Sequence, residues 1–201
     1  MKNGIVKIGL FGGSFDPIHY GHLQIAEWTK NKLALDKIIF IPAAIPPHKL
    51  RSVIASAEHR FNMTQLAIQD HPDFKISDVE INRKGISYTI DTIYYFREKH
   101  HLQKNEIFLL IGGDSLIDLP TWRFPDRIVE NCTVVVYQRH GADLDVIPEK
   151  YVKKVRILET PLIDISSTSI REKIAAGTSI STQTSPSVAQ YIEKHNLYRT
   201  S

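Results

Sequence analysis

The feature that most constrains this chain is the texture of its apolar runs. Val6–Phe11, Lys37–Ile41, Glu106–Ile111, Thr133–Tyr137 and Val155–Leu158 are short and rich in β-branched residues. They are apolar on consecutive positions rather than on alternate ones. A strand with one wet face alternates, whereas a strand covered on both faces does not. Between these runs, apolar residues return at helical spacing: Leu23, Ala26 and Leu33 in His22–Leu33, and Met63, Leu66 and Ala67 in Ser56–Gln69. The same spacing places Ile90, Ile93 and Tyr94 in a helix over Thr89–His100, and Phe124–Asn131 reads as a shorter one. Ser169-Ile170-Arg171-Glu172 has the form of a capping box, with the helix starting there or two residues earlier and stopping at Gly177. Ser185-Pro186 opens a last helix with Val188 and Ile192 facing inward. Strands alternating with helices predict an α/β fold: a doubly wound, mostly parallel sheet with right-handed crossovers, its ligands beyond the carboxyl ends of the strands. One domain over residues 1–201 is expected, helical from about 165 onward.

Composition removes several classes of function. Hydrophobic residues are 42% and charged residues 23%, the balance of an ordinary globular protein. Lys plus Arg is 25 and Asp plus Glu is 22, a surplus of +3 that fits a pocket for small anions and not a nucleic-acid coat. Cys132 is the single cysteine, so neither a disulfide framework nor a cysteine-cluster metal site can form; beside Thr133–Tyr137 it reads as a buried, inert thiol. No stretch approaches the ~18 apolar residues of a membrane span. The first apolar run is cut by Gly9, Gly12 and Gly13, which suits a strand and a tight turn better than a signal peptide. A cytoplasmic protein with no membrane and no nucleic-acid partner is expected; a homo-oligomer is compatible with this reading.

The first strand-to-helix junction reads Gly9-Leu10-Phe11-Gly12-Gly13-Ser14-Phe15-Asp16-Pro17-Ile18-His19-Tyr20-Gly21-His22. Glycines after a first strand let backbone approach a phosphate, and the helix N-terminus that follows favours anions. The spacing is not G-x-G-x-x-G, and no G-K-[ST] occurs in the chain, so hydride transfer and P-loop hydrolysis both lose ground. His19-x-Gly21-His22 stands in their place, two imidazoles on one face of a helix start. Gly21 removes a side chain where a ligand could pass. Three readings of the pair stay open: a loop and helix-cap pair, metal ligands needing a third partner such as His48, or N–H donors to a polyphosphate. Asp16 reads as a turn-former before Pro17. A second cationic group is Pro46-Pro47-His48-Lys49, where Lys49 projects a point charge from a stiff loop. A third is Ile165-Ser166-Ser167-Thr168-Ser169-Ile170-Arg171, hydroxyls and backbone N–H groups gathered at a helix start beside an arginine. Together they point to a nucleoside triphosphate held without a P-loop. The histidines at 59, 71, 100, 101, 140 and 195 read as surface or helix-end residues with no role.

Gly12 to His22 and Ile165 to Arg171 resemble the two signatures of the H-x-G-H nucleotidyltransferases, with Ser14 where Thr is more usual. Pro46-Pro47-His48-Lys49, Arg83-x-Gly85-x-Ser87-Tyr88-Thr89-x-Asp91-Thr92, Gly112-Gly113-Asp114-Ser115 with Trp122, and Val188 to Tyr198 narrow the resemblance to bacterial nicotinate-nucleotide adenylyltransferases. It runs from about Lys7 to Tyr198, with Gly141–Lys154 unmatched. The resemblance implies a Rossmann-like nucleotidyltransferase fold and adenylyl transfer from ATP to nicotinate mononucleotide, giving nicotinate adenine dinucleotide and pyrophosphate in NAD biosynthesis. It implies Mg2+ travelling with ATP as cofactor, and no dedicated protein metal site. His19, His22, Lys49 and Arg171 would be catalytic. ATP would be bound by Gly12, Gly13, Ser14, Phe15, His19, Gly21, His22, Gly112, Asp114, Ile165, Ser166, Ser167, Thr168 and Arg171. Nicotinate mononucleotide would meet Asp16, Lys49, Ser87, Tyr88, Thr89, Asp114 and Trp122, with Trp122 as the stacking residue and Tyr88-Thr89 at the carboxylate. For Trp122, Thr89 and Asp114 the alternatives are core packing, a helix cap and a buried capping carboxylate. Two other readings remain: a related transferase with a phosphopantetheine or polyol-phosphate acceptor, and a nucleotide-sensing module without chemistry. Transfer-RNA charging, suggested by a similar histidine signature, lacks a K-M-S-K-S-like stretch and a broad basic face.

Overall fold

The computed structural model describes residues 6–46, 54–138, 148–160 and 163–199. In chain order it runs β1 (Ile8–Gly13), α1 (Tyr20–Leu33), β2 (Lys37–Pro42), α2 (Ala57–Ile68), β3 (Phe74–Ile76), α3 (Val79–Arg83) and α4 (Thr89–His100). Then follow β4 (Ile107–Gly112), α5 (Gly113–Asp118), α6 (Pro125–Asn131), β5 (Thr133–Gln138), α7 (Glu149–Val152), β6 (Val155–Glu159), α8 (Ser167–Ala175) and α9 (Pro186–Lys194). The five expected strands all form within two residues of their expected bounds. What periodicity did not announce is β3, α3, α5 and α7, three to six residues each and too short to show a repeat.

The strand order is β3-β2-β1-β4-β5-β6. β1 pairs β4 in parallel from Ile8↔Ile107 to Phe11↔Leu110, β4 pairs β5 up to Gly112↔Tyr137, and β5 pairs β6 up to Gln138↔Glu159. The chain winds outward from β1 in one direction and from β4 in the other, so the topological switch point lies at the carboxyl ends of β1 and β4. Both strands end in a Gly-Gly pair, Gly12-Gly13 and Gly112-Gly113. The doubly wound expectation is met. One strand departs from it in detail: β6, the sheet edge, is not covered on both faces, and its Ile157 is exposed.

Contacts cluster into two units. The first draws on Met1–Gly12, Trp28–Ile39 and Tyr88–Leu162. Its core is Ile8, Leu10, Leu110 and Val134 to Val136, each of which contributes roughly 1.5–3 kcal/mol by leaving water. α4 packs on α6 through Ile93, Phe96, Ile128 and Val129, and Arg97 donates to the side-chain carbonyl of Asn131. Cys132 ends α6 with its thiol donating to the Ile128 carbonyl at 3.3 Å; burial pushes the thiol up to about 12. The second unit draws on Gly13–Glu27, Phe40–Ser87 and Ile163–Ser201. Here α2 packs on α9 around Met63, Val188 and Ile192. His59, in the first turn of α2 as a helix-end residue, is half-buried, with Nδ1 3.0 Å from the Tyr191 hydroxyl. α8 starts at Ser167, the earlier of the two expected starts, because Ser166 is the cap that accepts from the Ser169 N–H. It closes as expected at Gly177, whose φ of +68° lets Gly177 and Thr178 donate back to the Ile174 and Lys173 carbonyls.

Candidate active site

The second unit holds the phosphate-side residues. His19 and His22, at the entry to α1, stack face to face with ring centroids 3.7 Å apart. The His19 backbone N–H donates to His22 Nδ1 at 3.3 Å. Nδ1 is the acceptor in that bond, so the backbone of one histidine holds the ring of the other. Phe15 takes the left-handed region (φ +48°), unusual for a non-glycine, and its buried ring meets His22 edge-on at 5.1 Å and Phe40 at 5.7 Å. Gly21 corrects an expectation. A Cβ there would stand 2.8 Å from Ile163 Cγ2 and 3.0 Å from His19 Nδ1, so the glycine makes room for the histidine ring itself and not for a passing ligand. Gly13 is similar, since its Cβ would press on the Phe15 ring at 3.0 Å.

Arg171, on the second turn of α8, reaches back to the same loop. Its Nη1 donates to the Asp16 carbonyl at 2.8 Å and its Nη2 to the Thr168 hydroxyl at 3.2 Å. The hydroxyls expected as one ATP-binding cluster divide three tasks. Ser166 caps α8, Ser167 donates to the Pro17 carbonyl at 2.9 Å, and Thr168 accepts from Arg171. Ile165 is half-buried just ahead of them. The loop is held further along by Thr184, donating to the Ile18 carbonyl at 3.0 Å, and by Gln183, accepting from Tyr20 N–H at 2.9 Å.

Two residues expected at the acceptor have their side-chain oxygens bonded within the protein. Asp16 is 1% exposed: Oδ1 accepts from the Tyr198 hydroxyl at 2.6 Å and Ala55 N–H at 3.2 Å, and Oδ2 from Ile54 N–H at 2.7 Å. With both oxygens bonded inside the protein, Asp16 braces the loop. The Ser87 hydroxyl is buried as well and accepts from Ala44 N–H at 2.9 Å, while its own N–H donates to the Ile45 carbonyl. It supports the chain entering Pro46. Lys49, with Pro47 and His48, lies outside the described residues.

The first unit holds the expected acceptor-side residues. Tyr88 precedes α4 and Thr89 is its first residue, with no side-chain cap on the helix start. Thr89 is therefore not the cap that was its alternative. Trp122 follows a short 3₁₀ turn (Leu119–Thr121) and is half-buried. Asp114, in the first turn of α5 past β4, is exposed, which removes its alternative as a buried cap. Gly12 has open space where a Cβ would stand, and at Gly112 the Tyr137 ring would lie 3.3 Å from one.

Three residues escaped the sequence reading. Arg60 is 1% exposed in α2, its Nη1 donating to the Ser14 carbonyl at 2.8 Å, Nη2 to Ala44 at 3.1 Å and Nε to Ala55 at 3.1 Å. Burial lowers its pKa and the Asp16 carboxylate opposes that shift. A signal existed: positions 60, 63, 64, 67 and 68 form the buried stripe of α2, and Arg60 sits on it. Tyr198 is the second, and burial with the Asp16 charge keeps its hydroxyl protonated as a donor. Arg123 is the third, its guanidinium 4.5 Å over the Tyr88 ring and 5.3 Å from that of Phe124.

Among the described residues no three His, Cys, Asp or Glu side chains group to hold a metal, and the Asp16 oxygens are already bonded. Stacked imidazoles and an arginine anchored to the same loop, in a doubly wound fold without a P-loop lysine, are groups of the kind that phosphate transfer without covalent catalysis calls for. That defines the class as a nucleotidyltransferase.

Comparison with known proteins places the chain within the class. Residues 10–173 match the cytidylyltransferase-like family model. A protein of Clostridium tetani, named a probable nicotinate-nucleotide adenylyltransferase, is 42% identical over 200 residues, 96% of this chain and 99% of that one. One of Thermomicrobium roseum with the same name is 41% identical over 200 residues, 96% and 92% of the two chains. The fold matches the Plasmodium falciparum nicotinic acid mononucleotide adenylyltransferase complexed with NaAD, at a TM-score of 0.78 and 22% identity over 96% of this chain and 97% of that one. The chain belongs to the cytidylyltransferase-like family and, within it, to the nicotinate-nucleotide adenylyltransferases.

Proposed function

We infer that the chain transfers the adenylyl group of ATP to nicotinate mononucleotide, releasing pyrophosphate, in NAD biosynthesis. The observation that carries this is the stacked His19–His22 pair, in the same unit as the anchored Arg171. An oxygen of the acceptor's 5′-phosphate attacks the α-phosphorus of ATP. The new P–O bond forms in line with the one that breaks, and pyrophosphate leaves with that bond's electron pair. No nucleophile of the protein is needed, so the work is positioning and charge stabilisation. His22, with His19 beside it, donates to the oxygens that gain charge at the α-phosphorus. Arg171 holds the departing β- and γ-phosphates, and Lys49 is proposed for the same task. Mg2+ enters with ATP, as part of the substrate, and offsets phosphate charge.

The acceptor's flat ring suits the Trp122 face, and its carboxylate suits the uncapped start of α4 at Tyr88-Thr89, where N–H groups and the helix dipole favour an anion. Asp114 is proposed to accept from ribose hydroxyls, a role its exposure just past β4 supports. Gly12, Gly13, Ser14 and Gly112 are proposed to lie along the nucleotide backbone-side, since Gly12 leaves open space at its Cβ position. Pyrophosphate release from ATP, measured with nicotinate mononucleotide, its amide analogue and phosphopantetheine, tests the reading. The carboxylate acceptor should be turned over at least tenfold better than the amide, because an amide leaves donors unmatched. Turnover of phosphopantetheine in preference to both would contradict it.

A further inference from the structure

We propose that Tyr198 and Arg60 are positioning residues for adenylyl transfer, acting through Asp16 on Arg171. The proposal deepens the adenylyl-transfer reading and rests on it.

Asp16 is a carboxylate built into a loop that has to receive a polyphosphate, and an unmatched negative charge there would repel it. The structure answers this by tying both oxygens down. The Tyr198 hydroxyl donates to Oδ1 at 2.6 Å, and Ile54 and Ala55 N–H groups donate at 2.7 and 3.2 Å. The same residue's carbonyl accepts from Arg171 Nη1 at 2.8 Å. One side chain and one carbonyl of Asp16 thus connect a tyrosine near the end of the chain to the cation assigned to the leaving phosphates. Arg60 works on the other flank. Its fork joins the carbonyls of Ser14, Ala44 and Ala55, which fixes the residue two before Asp16 and the residue that donates to Asp16 Oδ1. Both Tyr198 and Arg60 are buried, so they act by placement and not by touching substrate. Without the Tyr198 hydroxyl, Oδ1 loses its shortest donor, and the Asp16 backbone whose carbonyl anchors Arg171 loses a brace. An Arg171 whose anchor shifts no longer meets the phosphates in register.

A double-mutant cycle on turnover and on ATP affinity tests this. Tyr198→Phe keeps the ring and removes the hydroxyl. It should lower kcat about tenfold and weaken ATP binding similarly, with KM for the acceptor within about twofold. In an Arg171→Ala background the same change should alter kcat and ATP affinity by less than about twofold. A purely structural role predicts the opposite: the full factor persists in the Arg171→Ala background, or kcat stays at the wild-type value while the melting temperature falls. Either result overturns the proposal. If Tyr198→Phe does not fold, Arg60→Lys runs the same cycle with the same criteria. Should the wild-type protein release no pyrophosphate with nicotinate mononucleotide while the cycle on ATP affinity holds, the reaction reading fails and the positioning stands. A wild-type protein that turns over with no coupling in the cycle sinks the positioning alone.

Discussion

Residues 14–20 are hydrogen-bonded to five other parts of the chain: Arg60 on α2, Ile54-Ala55, Ser167 and Arg171 on α8, Gln183-Thr184, and Tyr198. Around Tyr88, Thr89 and Trp122, short-range bonds run from Trp122 N–H to the Leu119 carbonyl at 3.1 Å and from Asp91 N–H to the Tyr88 carbonyl at 3.2 Å, and an arginine lies 4.5 Å over the Tyr88 ring. The difference follows the chemistry each region is proposed to perform. A hydrogen bond constrains both distance and angle, so a loop held by many of them presents its donors without further reorganisation. Stacked rings slide at little cost, which serves affinity for a flat ligand but does not fix a reacting phosphorus. Damage to the first region should therefore cost folding and rate, and damage to the second should cost acceptor affinity.

The largest effect should come from Asp16→Ala. It leaves two N–H groups and a phenol without their buried acceptor, removes the carboxylate charge that favours the buried Arg60 guanidinium, and should cost about 3–5 kcal/mol in urea unfolding. A loss under about 1 kcal/mol would show that the loop is not held as described. Trp122→Ala should raise KM for nicotinate mononucleotide about tenfold, some 1.4 kcal/mol, with KM for ATP within about twofold. A matched rise in both would erase the contrast between the regions. Arg123→Ala, which removes the cation over Tyr88, should shift acceptor KM by about two- to fivefold and leave the melting temperature nearly unchanged, since an exposed stacked cation contributes about 0.5–1 kcal/mol. Smallest in functional terms is Cys132. Its thiol is raised to about 12 from an ordinary 9.0, so the folded chain keeps a proton that the unfolded chain releases between those values. Stability should fall as pH rises through that window, and a thiol reagent at pH 8 should label only unfolded protein.

Much of the fold was legible because it rests on local pattern. Consecutive apolar residues marked β1, β2, β4, β5 and β6, and Ser185-Pro186 marked the start of α9, where Ser185 accepts from the Val188 N–H as a cap should. The site was legible where a motif gathers side chains locally, as where His19 and His22 stack and Arg171 reaches Thr168. It failed where a residue's partners are far along the chain. Asp16 and Ser87 looked like substrate contacts because their bonds to Ile54, Tyr198 and Ala44 span dozens of residues that no local pattern registers. Gly21 looked like space for a ligand, since nothing in the sequence tells that Ile163 and the His19 ring fill it. Arg60 was the recoverable miss: a charge on the apolar stripe of α2 is a signal that a buried partner exists.

The account turns on the stacked histidines acting in the reaction and not in holding ATP. The measurement that tests this most directly is ATP affinity by calorimetry alongside single-turnover rate for His22→Ala. The rate should fall by about 10²–10³ while the ATP dissociation constant changes less than about threefold, as for a donor whose hydrogen bond strengthens in the transition state. Equal loss of affinity and rate would contradict it and make the pair a binding element.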